Sequence, residues 1–111
     1  MGQAYVSIYE IQGPSSIDLI ERVPDIIHLE QNYPNPFNPT TEIMFTLPSR
    51  QNISLKVYNI FGREVAVLIN EVKEPGKYTV TFNANDLPSG LYFYKLQTVK
   101  FANTRKLVVL K

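Results

Sequence analysis

The sequence predicts an all-β fold, a sandwich of about seven antiparallel strands. Three features carry this prediction. From Leu29 onward, apolar runs recur roughly every 10 to 14 residues. Within the runs, apolar and polar side chains alternate with the period of two that a half-buried sheet imposes. Clusters of Gly, Pro, Asn and Ser stand between them, where the chain must reverse. No stretch with a helical period is needed to account for the chain.

Ala4 to Ile11 is rich in β-branched and aromatic residues, with Ala4, Val6 and Ile8 on one face and Tyr5, Ser7 and Tyr9 on the other. It reads as a strand without a partner nearby. Residues 1–11 are therefore expected to be the last strand of an upstream domain or an added edge strand of the main one. Gly13-Pro14-Ser15-Ser16 and the aperiodic stretch behind it mark 12–25 as a linker. The main domain is assigned to 26–111, opening with a short strand around His28 to Gln31.

Thr41 to Leu47 turns Ile43, Phe45 and Leu47 inward and Glu42, Met44 and Thr46 outward, until Pro48 stops it. Ile53, Leu55 and Val57 repeat the pattern. The Ile60-Phe61-Gly62-Arg63 corner then joins that strand as a hairpin to Glu64 to Ile69. In Glu74-Pro75-Gly76-Lys77, Pro and Gly occupy the positions a type II turn requires, ahead of the alternating Tyr78, Val80 and Phe82. Pro88-Ser89-Gly90 makes the next corner. Leu91 to Val99 begins apolar on both faces, which predicts a central strand, and Thr104 to Leu110 follows it. Seven strands is the number in the smaller immunoglobulin-like sandwiches.

A chain of 111 residues holds one domain of ordinary size. Its 44% hydrophobic content can fill a core, and 19% charge is too little for a disordered solvating tail. A formal charge of +1 offers no whole-chain reason to bind nucleic acid or an anionic membrane. The absence of Cys removes disulfides, thiolate nucleophiles and sulfur metal ligands, and His28 is the only His. A catalytic triad would rest on that residue without a nucleophile motif to serve. Glu71 and Glu74, the closest acid pair, flank a turn beside Lys73 and Lys77, where a solvated charge cluster is the expected state. The residues thus predict a monomeric chain with no catalytic residue, no cofactor and no metal. No apolar run approaches the roughly 18 residues of a membrane span. Met1-Gly2-Gln3 is not followed by a charged and then apolar leader, so a cytosolic protein or a piece whose export signal lies elsewhere is expected.

Seven Tyr and six Phe could build a platform for sugar rings. Tyr78, Phe82, Tyr92 and Tyr94, however, fall on alternate strand positions, where core packing accounts for them. The charge distribution says more than its sum. Residues 95–111 hold Lys95, Lys100, Arg105, Lys106 and Lys111 with no acid, whereas the ten acids all lie in 1–94. Lysines on an edge strand discourage aggregation, which explains part of this. The sharper expectation is a terminal strand that displays Arg105, Lys106 and Lys111 to a receptor and offers it an unpaired edge.

Leu29 to Thr41 is too rich in Pro and Asn for a regular strand. Pro34, Pro36 and Pro39 favour an extended, polyproline-like lead-in, with Tyr33 and Phe37 as its anchors. This segment resembles, together with Ile43 to Pro48, Val57 to Val65, Pro75 to Tyr78, Leu87 to Leu96 and the terminal Lys111, the type A C-terminal sorting domain of type IX secretion cargo. The likeness runs in order over residues 24–111.

The resemblance implies an immunoglobulin-like sandwich that serves as the export address of a larger passenger. It implies transit through the periplasm, passage through the outer-membrane type IX translocon, and removal by a cysteine-protease sortase that commonly joins the passenger to an anionic lipopolysaccharide. The destination is the outer membrane, the cell surface or the exterior. The residues matching the family's motifs, with the cations of the last strand, make Asn35, Pro36, Pro88, Gly90, Tyr92, Lys106 and Lys111 the expected recognition residues, and 12–25 the expected cleavage region. One departure stands out: Thr98-Val99-Lys100-Phe101 lacks the Gly many members carry between the last two strands. Similar sandwiches occur in the flagellar hook-capping protein and as passive spacers or carbohydrate-binding modules of bacterial surface enzymes, so fold alone does not separate these roles.

Overall fold

The computed structural model describes residues 26–111. The strand expected at 1–11 and the linker expected at 12–25 lie outside the described residues. Seven strands follow in order: β1 (His28–Leu29), β2 (Thr40–Leu47), β3 (Gln51–Tyr58), β4 (Glu64–Lys73), β5 (Gly76–Asn83), β6 (Gly90–Gln97) and β7 (Ala102–Val109). All pairings among them are antiparallel, and no helix occurs among the described residues. One sheet has the order β1-β2-β5 and the other β4-β3-β6-β7. This is the all-β sandwich of immunoglobulin-like type that the alternation predicts.

The faces follow from the period of two. Ile43, Phe45 and Leu47 of β2 and Ile53, Leu55 and Val57 of β3 are buried, as are Tyr92, Tyr94 and Leu96 of β6 and Leu107 and Val109 of β7. They form a single apolar cluster between the sheets. Each such side chain contributes about 1.5–3 kcal/mol by leaving water, which is what sets the strand register. β6, apolar at its start, is indeed interior, flanked by β3 and β7.

The β3–β4 corner is held by Asn59, whose side-chain oxygen accepts from the N–H groups of Phe61 (2.9 Å) and Arg63 (3.0 Å), while Gly62 takes φ +82°. A side chain there would be strained, so Gly suits the position. The next corner departs from expectation. Gly76 has φ +148°, far from the roughly +80° of a type II turn, and already opens β5. The reason is topological: β4 pairs with β3 and β5 pairs with β2, so the chain changes sheets here instead of folding back as a hairpin. The Tyr78 hydroxyl donates to the Glu74 carbonyl at 2.6 Å and ties off this crossing.

The opening strand is also shorter than expected, ending at Leu29. The Glu30 N–H still bonds to the Met44 carbonyl (2.9 Å), and the chain meets β2 once more, at Tyr33 opposite Glu42, before it crosses toward the other sheet.

Candidate recognition site

The Asn-Pro lead-in stitches the two sheets together along one side. At its start, Tyr33 and Glu42 of β2 exchange backbone hydrogen bonds at 3.0 Å. At its end, the Phe37 N–H donates to the Val108 carbonyl (3.1 Å) and the Leu110 N–H donates to the Phe37 carbonyl (3.0 Å), a short parallel bridge to β7. The Phe37 ring is buried with Phe82 of β5, centroids 6.1 Å apart. Phe37 is thus the anchor the sequence suggests. Tyr33 is not, being 77% exposed, because extended geometry turns alternate side chains to opposite sides and Asn32 takes the inward one.

Asn32 would be costly to bury without partners. It is 2% exposed, and its Nδ2 donates to Thr41 Oγ1 (2.9 Å) and to the Pro34 carbonyl (3.1 Å). Its N–H donates to the Tyr94 hydroxyl (2.8 Å), which in turn donates to the Glu30 carbonyl (2.6 Å). Tyr94 of β6 therefore clamps the lead-in onto the terminal hairpin. Burial pushes its hydroxyl up to about 12, and the Asn32 N–H and the Arg105 charge pull the other way without overcoming it.

The lead-in also closes part of the edge expected to be free. Asn35 Oδ1 accepts from the Val108 N–H (2.9 Å), and Gln31 Nε2 donates to the Lys106 carbonyl (2.8 Å). From Lys106 O to Leu110 N the outer side of β7 is covered; among the described residues nothing covers the half toward the hairpin tip. The expected display of Arg105 also needs correction. β7 alternates, so Arg105 shares the inward parity of Leu107 and Val109, stands half-buried opposite Tyr94, and donates from Nε to the Leu29 carbonyl (2.7 Å).

The remaining expected residues gather mostly at one end. Pro88 is exposed, and its carbonyl accepts from the hydroxyl of buried Tyr92 (2.8 Å). Gly90 starts β6 opposite Val109 with φ +153°, a conformation open to Gly. The Lys111 N–H donates to Ser89 Oγ (3.0 Å), and its Nζ to the Asn85 carbonyl (2.7 Å). Asn35 and Pro36, both exposed, lead directly into Phe37, the bridge partner of Val109. Lys106 stands apart, exposed on β7 opposite Phe93. Sequence reasoning missed Asn32, Thr41 and Tyr94 as a unit. The signal was there in Thr41, a polar residue at the inward parity of Ile43 and Phe45.

The hairpin tip closes without glycine: the Thr98 N–H donates to the Phe101 carbonyl (2.8 Å), and Gln97 pairs with Ala102. Among the described residues, no three of His, Cys, Asp and Glu come together as a metal site would need. Phe82, Tyr92 and Tyr94 are buried, so these aromatics serve the core and not an outer platform.

Residues 31–110 match the family of secretion system C-terminal sorting domains. The chain belongs to that family. The match starts at Gln31 and ends one residue past the Phe37–Val109 bridge, so it takes in the Asn-Pro run, the Asn32–Tyr94 contact and the terminal hairpin. None of the curated proteins matches the chain. A sorting domain of this kind is an export signal of type IX secretion, not a catalytic domain. Membership implies a passenger, interaction with the type IX machinery, and export across the outer membrane to the surface or beyond.

Proposed function

We propose that this sorting domain is a non-catalytic export address: it carries its passenger from the periplasm through the outer-membrane translocon and is then cut away by a sortase. The recognition surface is the end of the sandwich where the lead-in meets the terminal hairpin, with Asn35, Pro36, Pro88, Gly90, Tyr92 and Lys111 around it and Lys106 further along β7. The observation that carries this reading is the family match over the segment that the Tyr94 clamp holds as one unit. A clamped lead-in presents its prolines and the chain's last cation in fixed relation, as recognition by a receptor requires. Cleavage is assigned to residues 12–25, because the Gly-Pro-Ser-Ser stretch and the aperiodic run behind it suit a protease cleft, which needs extended backbone.

The test is to fuse residues 12–111 to a reporter bearing a signal peptide in a host with this pathway. The reporter should reach the cell surface and lose the sandwich, leaving a terminus within the linker. Retention of an intact fusion in the periplasm would overturn the proposal.

A further inference from the structure

Among the described residues, the outer edge of β7 is closed for only half its length. Val108 and the Lys106 carbonyl point away from β6 and are engaged by Phe37, Asn35 and Gln31. By the alternation of an antiparallel ladder, the N–H of Lys106 and the N–H and C=O groups of Thr104 and Ala102 point the same way. Among the described residues nothing bonds to them.

Beside this open stretch lies a groove of about 350 Å³ lined by Gln31, Phe93, Thr104, Arg105 and Lys106. A second groove of about 320 Å³, with Tyr58, Phe93, Lys95 and Thr104 in its wall, continues across the outer sheet face. Lys95 Nζ lies 5.6 Å from the centre of the Tyr58 ring. The charges on this ground are cationic, and residues 95–111 contain no acid.

We infer that the open half of the β7 edge, Ala102 to Lys106, is where an acidic extended segment of a protein in the export machinery adds as a further strand. The inference rests on the export reading above. Unpaired backbone groups at strand spacing are complementary to a polypeptide, and not to a sugar or a lipid headgroup. Acids at alternate positions of the incoming strand fall on the outer face of the sheet, which carries Lys106, Phe93 and Lys95 together. The same lysines repel a second copy of β7, so the device that suppresses self-pairing selects a partner of opposite charge. The edge of β4 suits this poorly: it faces β3 across two register shifts and carries Glu64 and Glu71.

The full chain is titrated with a short peptide alternating Glu with Val or Thr, and with its Lys-for-Glu counterpart, while amide signals and hydrogen exchange are followed by NMR. With the acidic peptide, exchange at Thr104 and Lys106 should slow by about tenfold or more. Binding should weaken as salt is added, and the cationic peptide should not bind. Thr104→Pro removes an outward N–H without touching the ladder to β6, so it should lower affinity about tenfold with the fold retained. If it fails to fold, Lys106→Glu, at an exposed position, makes the same test through charge.

The inference is overturned if the acidic peptide does not bind, if it binds these variants equally well, or if it shifts amides of another edge. It is equally overturned if Thr104 and Lys106 are already protected in the free chain, because the edge is then filled from within. Export separates it from the sorting reading. Normal export of a Thr104→Pro fusion that has lost peptide binding would sink the edge inference alone. Periplasmic retention of the unaltered fusion would sink the sorting reading, and with it the assignment of the partner to that machinery.

Discussion

The hydroxyl of Tyr94 bridges the lead-in at two points, accepting from the N–H of Asn32 at 2.8 Å and donating to the carbonyl of Glu30 at 2.6 Å. One side chain on β6 thereby holds a segment that would otherwise have no regular pairing. The covered half of the β7 edge depends on that segment, so the shape of the terminal hairpin depends on a residue outside its tip.

Tyr94→Phe keeps the ring and removes only the bridge, leaving the buried Asn32 N–H and the half-buried Glu30 carbonyl without this partner. It should cost about 1–3 kcal/mol in denaturant unfolding. Hydrogen exchange should quicken at Asn32, and at Phe37 and Leu110, more than in β3. A loss confined to global stability, with no local change at the lead-in, would argue against the clamp.

Alkaline pH should act through the same group. The Tyr94 hydroxyl is raised to about 12 from the ordinary 10.0, so the folded chain keeps its proton where the unfolded chain releases it. Its contribution is complete below pH 10 and is lost as pH rises toward 12, reaching up to about 3 kcal/mol. Urea midpoints across that window should fall more steeply for the unaltered chain than for Tyr94→Phe. Parallel curves would contradict this.

Lys106→Glu combined with Lys111→Glu should cost no more than about 1 kcal/mol, since both side chains are exposed and the one bond lost, Lys111 Nζ to the Asn85 carbonyl, is open to solvent. Export and cleavage of a fusion should nevertheless be impaired. A variant that melts normally and is exported at the ordinary rate would remove charge from the recognition surface and leave Asn35 and Pro36 as its leading part.

Limited proteolysis should cut first within residues 12–25, ahead of any site between strands. Mass spectrometry of the earliest fragments decides this. Early cuts inside the sandwich with 12–25 intact would require the cleavage region to be placed elsewhere.

The aromatic and aliphatic positions of β2, β3 and β6 were legible because side-chain alternation is a local property: Ile43, Phe45 and Leu47 declare their face whatever they later meet. The same logic, carried further, would have turned Arg105 inward with Leu107 and Val109. The lead-in's motif was legible too, but not its use. Asn32 meets Tyr94 62 positions away and Asn35 meets Val108 73 positions away, and no periodicity encodes such contacts.

By itself, then, the sequence determined the class of fold, the inward and outward faces of the strands, the charge asymmetry of the final segment and the family motifs. Tertiary structure alone decided that the chain changes sheets at Gly76, that Phe37 and not Tyr33 anchors the lead-in, and that half of the terminal edge is covered. The reason is physical. Facing is set by a two-residue repeat and the hydrophobic effect, whereas these contacts arise only when distant segments are brought together and each buried polar group must find a partner.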